Sequence, residues 1–521
     1  MLREIQYYFY AEISPYLYLL LFLLILYLFM LNYTLIKKYF SAIPRKYWVF
    51  LLVIFLLGTS LRMHFSPMAD ILNADSWEYR IFAKSMMDDY GLISCDCPKV
   101  KDMHVHGYSF VQAIAYFLFG LKAEVLYSMN LFFGTISVLA MFLLVYVLTK
   151  NEALALLSTF ILSILPWHVF YSGTGVPEIS NSFFVIISVA IFFISLELKK
   201  PQFYFFSYVL LLFSILLKKE NIMLVLAMAA YLILIEKIKP FSVLNHIKKY
   251  GLFGPVAVLA LFPAFEFLNL AVGEVRNPVF TVQNFMINSE RLFQLLSADV
   301  LFLPLMLSFF GIMLFSFNKA AGLKKRLFFM YAWLIFQIIP MLFHLNWVHR
   351  RYLLLLYIPV VLIIICTVPL LSIRYLKQAA PLLVIGIIIA LSFSDLSGCA
   401  TGGKCLFDRE KTTADRDSLF LNTYLESVGN KTGAYAIMSK PTHKFMIDFL
   451  YNESHTDFAS RFFGFPRAHQ HKIFSNYDVY YFDEKNCSEK WAEYCKVVVE
   501  LPKTLVMQKE GLDVYKIDAW R

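Results

Sequence analysis

The chain is poor in charge. Of its 521 residues, 16% are Asp, Glu, Lys or Arg, where a soluble globular protein carries about 25%. That scarcity excludes a water-soluble enzyme, a disordered chain and a coiled coil. No Gly/Ser- or Pro-rich linker divides the sequence, and no internal repeat appears in it. No cleavable signal peptide is evident either: Met1–Ser14 carries mixed charges, and the apolar run from Ile13 to Ile36 is too long for an h-region. What the chain has in abundance is apolar surface, with 59% hydrophobic residues, 17% aromatics and a mean hydropathy of +0.63. The expectation is a polytopic α-helical membrane protein.

Apolar stretches near or above the bilayer-crossing length fall at 13–36, 47–66, 123–148, 153–172, 178–198, 250–272, 299–317, 327–345 and 351–371. Shorter candidates at 201–217, 221–236 and 380–394 bring the total to about twelve crossings. The net charge of +10 comes from 47 Lys and Arg against 37 Asp and Glu. Rather than nucleic-acid binding, it reads as basic cytoplasmic loops. Lys37, Lys38, Arg45 and Lys46 form one cluster, Lys199 and Lys200 another, and Lys237, Lys239, Lys248 and Lys249 a third. Lys319, Lys324, Lys325 and Arg326 follow, then Arg374 and Lys377. Placing all five inside gives one consistent alternation, with both termini outside.

The segment 107–120 (GYSFVQAIAYFLFG) breaks the pattern. As a helix it reaches only about 21 Å, short of the hydrocarbon core. It reads as a re-entrant or interfacial helix on the outer face. Residues 1–394 then form the membrane domain, with an outer loop at 67–122, and residues 395–521 a small α/β exterior domain. Strand-like runs lie at Ala434–Met438, Asp478–Phe482, Lys496–Leu501 and Leu512–Ile517, with a helical segment near Thr442–Tyr451.

Cysteine is sparse, seven in all, but its placement is informative. Cys366 lies inside a crossing. Cys95 with Cys97, Cys399 with Cys405 and Cys487 with Cys495 all fall on the expected outside, where disulfides persist. The last two pairs are disulfide candidates. The Cys95–Cys97 pair is a strained disulfide or two free thiols. With His104 and His106 it is also a weak zinc pattern.

Ionisable groups at membrane depth, or on the wrong side of it, are costly and point to function. Four sets stand out at the outer face: Arg62 with His64; Asp75 with Glu78 in NADSWEYRIFAKSM; Glu178 in GTGVPEIS; and two basic clusters, Lys218-Lys219-Glu220 and His349-Arg350-Arg351. Basic pairs held at an outer boundary either snorkel to ordinary headgroups or bind a phosphate, which Arg grips bidentately and Lys neutralises. Asp75 and Glu78 also form a D-x-x-E capping box that would open an amphipathic helix.

Taken in order, these segments resemble the GT-C glycosyltransferases, and among them the dolichyl-phosphate-mannose protein mannosyltransferases and the lipid A aminoarabinose transferase. The similarity runs through a crossing ending in Arg62, the pattern D-x-x-x-Y-x-x-x-A at Asp75, Tyr79 and Ala83, and HGYSFVQAIAYFLFG from His106 to Gly120. LPWHVFYSGTGVPEIS at Leu165–Ser180, LLKKEN at Leu216–Asn221 and HRRYLLLLYIP at His349–Pro359 continue it. It spans residues 47–372 in order, with the tail similar only in kind. The chain departs from the mannosyltransferases where Ser76 replaces a second acidic residue, and where Val105-His106 replaces a Pro pair. No W-W-D-Y-G sequence occurs, which argues against transfer of whole glycans to Asn.

The resemblance implies transfer of one sugar from a polyprenyl-phosphate donor to an exterior acceptor (a protein, glycan or lipid), with inversion. Asp75 is the candidate general base, with Glu78 and Glu178 as further acidic site residues. The donor phosphate falls to Lys218, Lys219, Arg350 and Arg351, with Arg62 beside them. His104, His106, Tyr79 and His349 are candidate acceptor or metal contacts. No cofactor is required, since Arg and Lys neutralise a monophosphate, though a divalent ion between Asp75 and Glu178 fits the same residues. The alternative from another class is a transporter or flippase of a lipid-linked substrate, which would show repeated halves and midplane charges. A third reading is a non-catalytic assembly subunit that works through its exterior tail.

Overall fold

The computed structural model describes residues 14–66, 79–80, 82–84, 86–87, 107–237, 282–297, 299, 301–302, 304, 306, 321–343, 350–367, 386–388, 390, 392, 420, 423–424, 427, 434–438, 456–458, 477–484, 502–509 and 512–517. Within them the chain divides into two compact units: Met1–Met68 with Ala83–Leu406, and Ala69–Phe82 with Phe407–Arg521.

Among its described residues the first unit is helical. An apolar chain in lipid must satisfy its own backbone, and a helix does so within one segment. Its helices are α1 (Ser14–Phe40), α2 (Arg45–Phe65), α3 (Gly107–Phe119), α4 (Ala123–Thr149), α5 (Glu152–Ile164), α6 (Pro166–Tyr171), α7 (Pro177–Leu198) and α8 (Pro201–Leu217). After a short turn at Lys219–Asn221 come α9 (Ile222–Ala230), α10 (Val282–Ser297), α11 (Ala321–Phe343) and α12 (Leu353–Thr367). Among the described residues, four helices are long and apolar enough to cross a membrane: Tyr16–Phe40, Arg45–Phe65, Glu124–Thr149 and Pro177–Leu198. Four shorter apolar helices accompany them, including Gly107–Phe119, so the segment with too few residues to span folds as a helix of that length.

Local chemistry sets the helix ends. Pro166, Pro177 and Pro201 open α6, α7 and α8, where the missing N–H costs nothing and φ is already helical. Asn151 caps α5 by accepting from the Leu154 N–H at 3.0 Å. α4 and α7 close on Lys150 and Lys199 in the left-handed conformation.

Among the described residues α7 packs most extensively against α4 and α8. Every residue of α12 is buried. On α1 and α2, by contrast, Leu20, Leu23, Phe29, Phe50, Val53 and Leu56 are exposed, which suits helices that face lipid.

Two ionic clusters mark the ends of α7. At its C-terminal end Glu197 Oε2 accepts from Tyr39 Oη and Lys150 Nζ, each at 2.5 Å. Its Oε1 accepts from Arg326 at 3.2 Å. One carboxylate thus ties α1, α4, α7 and α11 together among the basic residues assigned to the cytoplasmic side. Glu178 stands at the other end. The two glutamates are 19 positions apart, about 28 Å along a helix and close to the hydrocarbon thickness of a bilayer.

The second unit holds a five-stranded mixed sheet of order β2-β1-β3-β5-β4: β1 (Ala434–Met438), β2 (Thr456–Phe458), β3 (Asp478–Glu484), β4 (Lys503–Lys509) and β5 (Leu512–Ile517). β1 runs parallel to β2 and β3, whereas β5 runs antiparallel to β3 and β4. The register of β4 on β5 shifts between Leu505 and Met507. Ile437, Val479, Tyr481, Phe482 and Val514 are buried, and Phe420 and Tyr424 pack on Phe482. The expected runs at 434–438, 478–482 and 512–517 are strands, while 496–501 and 442–451 lie outside the described residues.

Candidate functional site

Glu178 sits in the first turn of α7, where helix N-termini favour a carboxylate. Its side chain is 1% exposed. Lys218 ends α8 with an extended backbone at φ −153° and ψ 115°, which turns its side chain away from the helix path. Lys218 Nζ lies 2.5 Å from Glu178 Oε1. Arg351, from the helical turn Arg350–Tyr352, places its Nε 3.5 Å from the same oxygen. The Tyr352 ring backs both cations, with Lys218 Nζ 4.5 Å and Arg351 Cζ 5.2 Å from its centroid. Burial pushes the Lys218 ammonium down, but the Glu178 and Glu220 carboxylates outweigh it, so its pKa is raised above the ordinary lysine value. Two buried cations thus meet one buried carboxylate, and that trio carries one excess positive charge.

Two side-chain networks fix this arrangement. Asn221 Nδ2 donates to Asn181 Oδ1 at 2.5 Å and to the Ser214 carbonyl at 2.7 Å. Asn181 is one turn beyond Glu178 and Asn221 is three residues beyond Lys218, so the amide pair repeats the ion pair one turn away. Asn130 Nδ2 donates to Tyr108 Oη at 2.9 Å, the Thr174 carbonyl at 2.5 Å and the Val176 carbonyl at 2.9 Å. Asn130 Oδ1 in turn accepts from Ser180 at 2.7 Å, which anchors the loop that leads into Glu178.

Two glycines permit the close packing. A Cβ at Gly107 would collide with the Leu216 carbonyl, and one at Gly134 with the Ser172 side chain. The start of α3 therefore abuts the chain two residues before Lys218.

The structure brings together Glu178, Lys218 and Arg351 of the residues selected from sequence. Lys219 is half-buried beside them in the chain. Arg62 has different partners. It is fully buried, with Nη1 donating to the Gly58 and Ser163 carbonyls at 2.8 and 3.3 Å, and Nη2 to the Leu162 carbonyl at 3.4 Å. Nη2 also lies 2.7 Å from His168 Nδ1. Because a guanidinium only donates, that imidazole nitrogen accepts, and His168 is neutral with its proton on Nε2.

Tyr79 is buried, within the second unit. The backbone of Arg350 is in the turn beside Arg351. Asp75, Glu78, His104, His106 and His349 lie outside the described residues. So do the disulfide candidates Cys399, Cys405, Cys487 and Cys495, together with Cys95 and Cys97. Among the described residues the one cysteine is Cys366, a buried free thiol in α12, and no disulfide occurs there. The pairings Cys399 with Cys405 and Cys487 with Cys495 therefore stay expectations from sequence. Among the described residues no three His, Cys, Asp or Glu side chains converge. Glu178 Oε1 already faces two cations, a setting that does not fit a divalent ion at that oxygen.

Tyr352, Asn181, Asn221, Asn130 and His168 were not selected from sequence. The E-x-x-N and K-x-x-N spacings at 178–181 and 218–221 were the available signal.

No protein-family model matches the sequence, and no curated protein matches it either. Solved structures do. The ArnT of Cupriavidus metallidurans in the apo state aligns with a TM-score of 0.55 at 11% identity, over 90% of this chain and 97% of its own. The same protein bound to undecaprenyl phosphate aligns with a TM-score of 0.54 at 10% identity, again over 90% and 97%. The Archaeoglobus fulgidus oligosaccharyltransferase, tethered to an acceptor peptide containing an NVT sequon, gives a TM-score of 0.52 at 11% identity, over 92% of this chain and 74% of its own. At such identity the likeness is one of fold alone: this chain shares the fold of these ArnT and oligosaccharyltransferase structures.

Proposed function

We propose that this protein is an integral-membrane glycosyltransferase of the cell membrane, which moves a single sugar from a polyprenyl-phosphate donor to an acceptor on the exterior face, with inversion. The observation that carries the proposal is the buried meeting of Lys218, Arg351 and Glu178 at the end of α7 opposite the basic rim. A lipid phosphate must remain at the membrane boundary, so its ligands belong at helix ends. Phosphate departure leaves negative charge on the carrier, and a preset Lys–Arg pair in a dry site stabilises that charge without reorganising. The solved relative that binds undecaprenyl phosphate shares the fold, which supports a carrier of that chemical class here.

In this reading Lys218 and Arg351 hold the donor phosphate, with Lys219 and Arg350 beside them. Asp75 accepts the proton of the acceptor hydroxyl as it attacks the anomeric carbon. Residues 1–394 form the catalytic membrane domain and 395–521 an exterior domain, with Cys399–Cys405 and Cys487–Cys495 as its two disulfides. Purified protein in nanodiscs, offered donors with different sugars, tests the proposal. Asp75→Asn should abolish transfer while leaving thermal stability intact. Undiminished turnover in that variant removes Asp75 from the mechanism.

A further inference from the structure

Glu178 occupies an unusual place for an acceptor-binding or proton-moving carboxylate. Its Oε1 is shared by Lys218 Nζ at 2.5 Å and Arg351 Nε at 3.5 Å. Its Oε2 is buried with no hydrogen-bond partner. One oxygen bound by a lysine and an arginine, with the other left open, is how a phosphate oxygen would meet the same two cations. The first turn of α7 and the Asn181–Asn221 pair hold the carboxylate there.

We infer that Glu178 is an internal counter-anion: it presets Lys218 and Arg351 for the carrier phosphate and weakens their hold on it, so that the spent carrier leaves. The inference rests on the reading of Lys218 and Arg351 as phosphate ligands.

Both halves follow from charge. Without that carboxylate, two buried cations would repel one another in a medium that solvates them poorly. With it, they are charged and oriented before the lipid arrives. A phosphate that enters then shares its cations with a second anion a few ångströms away. At an effective dielectric of about 20, removing such a like charge changes affinity by more than tenfold. Glu178 acts through Lys218 and Arg351, not on the sugar, and is a positioning residue. A carboxylate that oriented the acceptor would, once neutralised, lower turnover and leave phosphate affinity unchanged.

The test is a titration of the full-length chain in nanodiscs with undecaprenyl phosphate, comparing wild type with Glu178→Gln, Glu178→Asp and Lys218→Met. Glu178→Gln should tighten binding at least about tenfold. Glu178→Asp, which keeps the charge, should stay within about threefold of wild type, and Lys218→Met should weaken binding. If Lys218→Met weakens binding while Glu178→Gln leaves it equal or weaker, the counter-anion role is wrong and the phosphate site stands. If neither Lys218→Met nor Arg351→Met alters affinity, the phosphate site itself is wrong. Should Glu178→Gln not fold, Glu220→Gln gives the same test at a half-buried carboxylate that also acts on Lys218. It should tighten binding about threefold, and no tightening there overturns the role.

Discussion

Replacing Lys218 by Met separates the structural from the binding contribution of the buried ion pair. Met keeps most of the volume of the lysine stem and removes the ammonium that stands 2.5 Å from Glu178. Breaking a buried pair by deleting one partner costs about 3–5 kcal/mol when the other is stranded. Glu178 is not fully stranded, because Arg351 remains 3.5 Å away, so a loss of about 2 kcal/mol is expected. A lost charge-assisted contact to phosphate is worth about 1.5–3 kcal/mol, which is roughly 10- to 150-fold in Kd. Thermal unfolding in nanodiscs and undecaprenyl phosphate titration read the two effects separately. Wild-type affinity in Lys218→Met, or a variant as stable as wild type, would refute the assignment.

Gly107→Ala should lower thermal stability by about 1–3 kcal/mol, since its Cβ meets the Leu216 carbonyl and main chain yields little. It should also weaken phosphate binding severalfold through Lys218, which the same titration detects. Asn221→Ala leaves Asn181 buried without its donor and should cost about 1–3 kcal/mol, read by thermal unfolding. Glu197→Gln, at the partly exposed opposite rim, should cost less than about 1 kcal/mol and leave undecaprenyl phosphate affinity unchanged. Lys218 has its pKa raised in the folded state, so the stability it contributes is present below the ordinary lysine value near 10.5 and fades only as pH rises through the higher folded value. Titrations across the mildly alkaline range should therefore show constant affinity.

Much of the helical unit could be read from the chain because lipid imposes long apolar runs and leaves every exception conspicuous. The short helix at Gly107–Phe119 and the paired ends of α8 and α12 were visible as a run too short to span and as basic residues at a boundary. Glu178, Lys218 and Arg351 stood out for the same reason: charge in an apolar sequence is costly and therefore noticeable. Their contact was not legible, since it joins positions 40 and 133 residues further on than Glu178 and Lys218 respectively. Asn130, Asn181 and Asn221 are neutral, so hydropathy does not single them out, and their role exists only in the packed structure. Arg62, placed beside the phosphate candidates from sequence, makes hydrogen bonds to main-chain carbonyls and to His168 that no sequence pattern announced. In the second unit the runs at 434–438, 478–482 and 512–517 marked strands directly, whereas β4 at Lys503–Lys509 was not selected because that stretch carries more polar residues.

The central claim is that this chain severs sugar from a polyprenyl phosphate at one rim of the bilayer. Proteoliposomes with a radiolabelled polyprenyl-phosphate sugar confined to the leaflet facing Glu178 test it directly. The account predicts free polyprenyl phosphate in that leaflet, formed in proportion to acceptor and lost in the Lys218→Met/Arg351→Met variant. Intact donor appearing in the opposite leaflet, with no carrier released, would contradict it.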